Sequence, residues 1–204
     1  KIQPDDAEWD AGDIRYNVLR WTSSPNAPFG GYGPSFVNPR TGEIIGADIM
    51  LEWVYATNRL TINDIFDSSH LSTECSIGNL MQEGNMMSYL TSLDKDDPEI
   101  LKQSIIRLTL HEVGHTLGLN HNFKASFLHD SKNVHNKELT QKVGLTGSVM
   151  EYPAVNLAPL GVEQGDYYDT RTGPYDLWAI EFGYTPQLTE EERRNLLSKS
   201  NRHE

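Results

Sequence analysis

The 204-residue chain has a single cysteine, Cys75, so no internal disulfide can staple it and no thiolate cluster is available to hold a metal. Cys75 therefore reads as a small buried or half-buried residue. Basic side chains are scarce as well, 17 against 29 acidic ones, for a formal net charge of -12. A surface of that sign repels nucleic acid and anionic membrane, which argues against both as partners. No apolar run is long enough to span a bilayer, and neither an internal repeat nor a low-complexity tract occurs. The acidic clusters Asp5, Asp6, Glu8, Asp10 and Asp94, Asp96, Asp97 lack the spacing of an EF-hand loop and read as solvated surface. With 37% hydrophobic and 23% charged residues, the chain can bury the core of one globular domain.

What is present is concentrated in eleven residues, His111 to His121, which read HEVGHTLGLNH. Two histidines four apart lie on one face of a helix, so His111 and His115 can share a metal ion with Glu112 beside it. Gly118 adopts positive φ without strain and can turn the chain back, bringing His121 round as a third nitrogen ligand. Three imidazoles leave one coordination position open, the arrangement of catalytic zinc rather than of a structural site closed by four protein ligands. Five such fixed positions match by chance in a chain of this length on the order of once in a hundred thousand, so the pattern is not an ordinary amphipathic turn.

The helix carrying these residues is predicted from an N-cap at Asp97 and Pro98 to about Leu117. Ser104, Leu108, His111 and His115 form one stripe, and Ile106, Leu110, Val113 and Leu117 form another roughly opposite, so the metal face and the packing face are expected to be separate. Gly114, a helix-weakening residue, predicts close approach of another segment.

The pattern HExxHxxGxxH followed by a downstream methionine turn, here Ser148-Val149-Met150-Glu151-Tyr152, resembles the metzincin metallopeptidases. Further segments, Asp13 to Trp21, Gly31 to Ser35, Asn38 to Ile44, His121-Asn122-Phe123 and Tyr175 to Ile180, resemble the bacterial zinc-dependent metalloproteases grouped as the Met-zincin family. The resemblance implies an α+β catalytic domain with a twisted, mostly parallel sheet, an antiparallel edge strand, an active-site helix, a methionine turn and a C-terminal helix. It implies Zn2+ as cofactor, a hydrophobic floor under the imidazoles made by Met150, and a place near the metal for Tyr152. It implies a single domain over residues 1–204, in which an upper subdomain (residues 1–118) and a lower subdomain (residues 119–204) flank a cleft. Pro153 to Val155 would then border a specificity pocket. A secreted, periplasmic or cell-surface location follows by the same resemblance. Metzincin domains open with a strand and a backing helix, for which the thirteen residues ahead of Ile14 leave no room, and the chain opens at Lys1 without a signal peptide; it is expected to be a segment of a longer protein.

The coarse architecture reads in order. Ile14 to Trp21 alternates and predicts a strand. Ser35 to Val37 and Glu43 to Leu51 flank a Pro- and Gly-containing connection and predict a hairpin. Val54 to Leu60 and Asn79 to Leu90 are candidate helices, residues 119 to the methionine turn read as loop, and helices are expected from Pro174 to Phe182, ended by Gly183, and from Glu190 to Lys199. His70, His129, His135 and His203 share no ligand spacing and read as structural or surface residues.

The function these residues predict is a zinc-dependent endopeptidase acting on a peptide or protein, with Glu112 as general base for water and then as proton donor to the leaving amine. Tyr152 would assist at the oxyanion. Gly46 to Glu52 is the candidate sheet edge on which substrate lies as an added strand. The alternatives are a catalytically silent zinc-binding interaction module and a zinc hydrolase of non-peptide amides.

Overall fold

The structure is a computed structural model that describes residues 2–4, 6–24, 29–53, 98–159 and 161–200. The two candidate helices between 54 and 90, the Asp97 cap, Cys75, His70 and His203 lie outside the described residues. Among the described residues the elements follow in the order β1 (Val18–Thr22), β2 (Gly31–Tyr32), β3 (Ser35–Val37), β4 (Ile44–Glu52), α1 (Pro98–Thr116), a 3-10 turn (Ala125–Leu128), α2 (Lys137–Val143), α3 (Pro174–Tyr184) and α4 (Glu190–Lys199). Helices and a mixed sheet make this an α+β arrangement.

The hairpin forms as the sequence predicts. Gly31 to Val37 runs antiparallel to β4 in one register, Gly31 opposite Leu51 and Phe36 opposite Gly46, with an irregularity where Val37 meets Ile44. Its connection closes through Asn38, whose carbonyl accepts from the Gly42 N–H at 2.8 Å, with Gly42 in the left-handed region at φ 77°.

Two expectations change. Strand β1 begins only at Val18, because the Asp13 carboxylate accepts from the Arg15 N–H at 3.0 Å and curls Ile14 to Asn17 into turns. The sheet is not mostly parallel among the described residues: β1 pairs parallel with β4, while β2 and β3 pair with it antiparallel. Strand β4 is therefore the central strand. Residues Gly46–Ile49, Leu51 and Glu52 are buried along it, which the two-sided pairing explains. The polar members are satisfied: Arg20 holds Asp48 through two hydrogen bonds of 3.1 and 2.7 Å, and Glu52 accepts from the Thr22 hydroxyl and the Ser24 N–H, both at 2.8 Å.

Helix α1 crosses the sheet, setting Leu108 and Val113 against Ile49 and Leu51. Leu51 is 2% exposed, and truncating such a side chain to alanine costs about 2–5 kcal/mol. A second cluster joins Ile100, on the first turn of α1, to Tyr168 and the half-buried Val155, Leu157 and Tyr167. The most buried stripe of α1 is thus its polar one, Ser104, Arg107, His111 and Glu112, whereas Ile106, Leu110 and Val113 are half-buried and Leu117 is exposed. The helix lies between the sheet and the segment around Met150, and the latter covers its polar face.

The stretch after Gly118 is less loop-like than its asparagines suggest. Asn136 caps α2, its side chain accepting from the Leu139 N–H at 3.2 Å, and Gly144, at φ 115°, ends it. Helix α3 runs through Gly183 to Tyr184 rather than stopping before it, because Thr185 closes the last turn on the Glu181 carbonyl. Helix α4 spans the predicted Glu190–Lys199 behind a capping box of Thr189 and Glu192. It packs on α3, where the Trp178 indole N–H donates to the Leu196 carbonyl at 2.7 Å.

Candidate metal centre

His111, Glu112 and His115 project from the last turns of α1. Gly118, at φ 82°, ends the helix, with the Gly118 N–H donating to the His115 carbonyl and the Leu119 N–H to the Gly114 carbonyl. The returning chain brings His121 opposite, and one ring nitrogen from each of the three histidines lies within 4.8 Å of the others.

The two helix imidazoles are each fixed in one orientation. The His111 Nδ1 is 2.8 Å from the Val149 carbonyl oxygen and the His115 Nδ1 is 3.0 Å from the Leu119 carbonyl oxygen. A carbonyl only accepts, so each Nδ1 carries the proton and each Nε2 presents a lone pair to the centre. The His115 and His121 Nε2 atoms are 3.0 Å apart, and the Tyr152 hydroxyl is 2.9 Å from the His121 Nε2. The His111 Nε2 is buried without a hydrogen-bond partner. An orphaned buried acceptor costs about 1–3 kcal/mol, and a cation at the centre of the three nitrogens removes that cost. Neutral nitrogen donors in this number suit zinc.

The electrostatics agree with that donor set. Burial holds His111 down to about 4; its hydrogen bond to the Val149 carbonyl acts the other way, and the positive charge of Arg107 adds to the lowering. Burial also lowers His121, with His115 and Arg107 adding to it, so both rings are neutral at pH 7, as ligands must be. Glu112 is pushed up to about 7 by burial, partly offset by a backbone hydrogen bond from Gly33 and by Arg107. Burial followed by the Glu112 charge raises the Tyr152 phenol, which keeps its proton and can donate to the His121 Nε2. One wall of the site is closed and the other open: His111 is 1% exposed and Tyr152 54%.

Residues 149 to 152 each bond a residue of this centre or one beside it. The Val149 carbonyl holds His111; the Met150 carbonyl accepts from the Asn122 N–H at 3.0 Å, next to His121; the Glu151 carbonyl accepts from the Arg107 Nη2 at 2.8 Å; and Tyr152 reaches His121. Met150 is 1% exposed, and its Sδ abuts Gly114 in the last turn of α1. This is the close approach that Gly114 predicts.

A family model described as Met-zincin matches residues 93–204. The chain belongs to the Met-zincin family. No curated protein and no solved structure matches it. The matched region of this Met-zincin contains the complete histidine motif, the turn at Met150 and α3.

Several residues at the centre carry no signal in their spacing. The Asp176 carboxylate, near the start of α3, accepts from the Ser148 hydroxyl at 2.5 Å, the Val149 N–H at 2.9 Å and the Gly173 N–H at 2.8 Å, which fixes the turn that orients His111. Asp169, raised chiefly by burial, accepts from the Leu145 and Thr146 N–H groups and the Thr146 hydroxyl. Arg107 is the exception. It stands one turn ahead of His111, with its guanidinium carbon 5.5 Å from the Tyr152 ring centre, and residues four apart share a helix face. Gly31 and Gly33 pass directly over Glu112: a β-carbon at Gly31 would fall 2.6 Å from the Glu112 Oε1, and one at Gly33 would collide with the Glu112 carbonyl oxygen.

Other expectations are placed differently. Gly46 to Glu52 is not a free edge, since β4 is paired on both sides; among the described residues the outer strands are β1 on one side and β2 and β3 on the other. Val155 turns into the cluster around Ile100 and Tyr168. The His129 Nε2 donates to the Gly144 carbonyl at 2.8 Å, a structural use of that ring. No helix among the described residues is long and apolar enough to cross a membrane.

Proposed function

We propose that this chain is a zinc-dependent endopeptidase in which His111, His115 and His121 hold the metal and Glu112 moves the proton. The observation that carries the reading is the buried, partnerless His111 Nε2 facing two further imidazole nitrogens, with a buried carboxylate next in sequence. Zinc, when bound, supplies a Lewis acid that polarises the scissile carbonyl and raises the nucleophilicity of water near neutral pH.

The chain's own residues do the rest. Glu112, a buried carboxylate held by the Gly33 N–H beside the three imidazoles, would take a proton from the attacking water and return it to the leaving amine. The Tyr152 hydroxyl, protonated and 2.9 Å from the His121 Nε2, can donate to the oxyanion as charge develops there. Arg107, against the Tyr152 ring and on the Glu151 carbonyl, holds that phenol in place. Met150, packed against Gly114 between the two helix histidines, would form the floor beneath the imidazoles.

Substrate main chain would run along the outer side of Gly31 to Ser35, which crosses Glu112, and pair with it as an added strand. A secreted, periplasmic or cell-surface setting belongs to the same proposal and rests on the family.

The test is to incubate the zinc-loaded protein, beside its Glu112→Ala variant, with a mixed-sequence peptide library and map products by mass spectrometry. Internal cuts by the parent alone are expected. Cuts confined to chain ends, or none with zinc bound, would overturn the endopeptidase reading.

A further inference from the structure

Phe123 is 67% exposed and stands two residues beyond His121, at the wall of the candidate metal centre. Its ring centre is 5.8 Å from that of His121 and 6.1 Å from that of Tyr152, and it lies within 30° of parallel to the tyrosine. Tyr152, itself more than half exposed, lies 4.6 Å from His121 by ring centres. The two rings thus make one apolar surface that begins at the third histidine and ends in solvent.

That surface is built on a fixed backbone. The Asn122 N–H donates to the Met150 carbonyl at 3.0 Å, the Ala125 N–H to the Asn122 carbonyl at 3.1 Å, the Ser126 N–H to the Glu151 carboxylate at 3.1 Å, and the Gly147 N–H to the Ala125 carbonyl at 2.8 Å. These bonds tie the residues on both sides of Phe123 to the methionine turn. Nothing in the described fold requires an aromatic residue there: Phe123 adds no burial to either apolar cluster. A large apolar side chain held rigidly in water beside a metal centre has unsatisfied contact area facing the place where a peptide bond would be held. Offset-stacked and edge-to-face aromatic pairs, and apolar contacts generally, are what such a ring can offer a ligand.

We propose that Phe123, with the Tyr152 ring, is a specificity-determining subsite that takes an aromatic or large aliphatic side chain flanking the cleaved bond. The inference rests on the endopeptidase reading for its substrate class, and its test is arranged so that the two can fail separately. The ring contacts the substrate side chain and takes no part in proton transfer.

The experiment uses equilibrium binding to zinc-loaded Glu112→Gln protein, with and without Phe123→Ala or Phe123→Trp, of two blocked peptides that differ only in a central Phe or Gly. Zinc content is measured for each variant. The phenylalanine peptide is expected to bind the Glu112→Gln protein more tightly than the glycine peptide. Phe123→Ala should weaken it about tenfold more than the glycine peptide, and Phe123→Trp should restore the preference. Equal binding of the two peptides, or equal loss of both in Phe123→Ala with zinc retained, would overturn the proposal. If the parent protein cuts no peptide while this discrimination is still seen, the endopeptidase reading fails and the Phe123 subsite stands.

Discussion

Gly114 leaves no room for a side chain because the Met150 Sδ fills the space where its β-carbon would be. The contact joins the metal-facing helix to the turn that orients its first histidine, 36 residues later in the chain (150 minus 114).

Gly114→Ala is expected to destabilise the protein even though alanine is the better helix former by about 1 kcal/mol. Overpacking against a fully buried methionine costs about 1–3 kcal/mol and outweighs the gain in propensity. Thermal unfolding of the two proteins should show a lower Tm for the variant, and Gly114→Ala/Met150→Ala should recover some of the loss. A variant as stable as the parent would contradict the close packing.

Asp176→Asn is expected to reach the metal centre without touching it. The carboxylate accepts from Ser148, Val149 and Gly173, and the Val149 carbonyl in turn holds His111. Losing a hydrogen bond to a charged group costs about 1.5–3 kcal/mol, and loss of a group that orients a ligand lowers metal affinity roughly 10–100-fold. Urea unfolding gives the first quantity and competition with a chelator the second.

The metal-free protein should carry a pH signature of Glu112. Its carboxyl is raised from 4.5 to about 7, so the folded state binds its proton more tightly than the unfolded state does. That contribution is fully present below about 4.5 and is lost as the pH rises through about 7. Because Gln cannot ionise, Glu112→Gln should gain stability relative to the parent as the pH rises from 4.5 through about 7, read from denaturant midpoints. His111, lowered from 6.5 to about 4, acts in the opposite sense: its contribution is present above 6.5 and lost as the pH falls through about 4 in both proteins. Parallel profiles for parent and variant would contradict the burial of Glu112.

Gly33→Ala is expected to disturb Glu112, the proposed general base, more than the histidine cluster. Its new β-carbon would collide with the Glu112 carbonyl oxygen, a backbone atom that cannot rotate away. A loss of about 1–3 kcal/mol in stability is expected from denaturant unfolding, with zinc stoichiometry kept, because the atoms that the new β-carbon meets first belong to Glu112 and not to a histidine.

The features of this centre that are legible in sequence are those set by short-range geometry. His111 and His115 share a face because of helical spacing, Gly118 adopts φ 82° where the chain must turn, and Gly114 marks the approach of Met150. Asp176 is not legible because its partners Ser148 and Val149 are 28 and 27 residues away and leave no periodic trace. The central place of β4 is not legible for a related reason. Asp48 and Glu52 within it look like solvent-facing residues, whereas Arg20, Thr22 and Ser24 from across the sheet satisfy them in burial. Helix α2 is hidden by its own caps, since Asn136 and Gly144 are residues that equally mark a loop. The polar burial of α1 escapes prediction because the segment covering it arrives from residues 149 to 152, after a long excursion.

The most direct measurement is zinc content and peptide turnover, side by side, for the parent, Glu112→Gln and His121→Ala. The account predicts one zinc per chain and turnover for the parent, one zinc per chain without turnover for Glu112→Gln, and loss of both for His121→Ala. Turnover that survives in Glu112→Gln, or zinc held as tightly without His121, would contradict it.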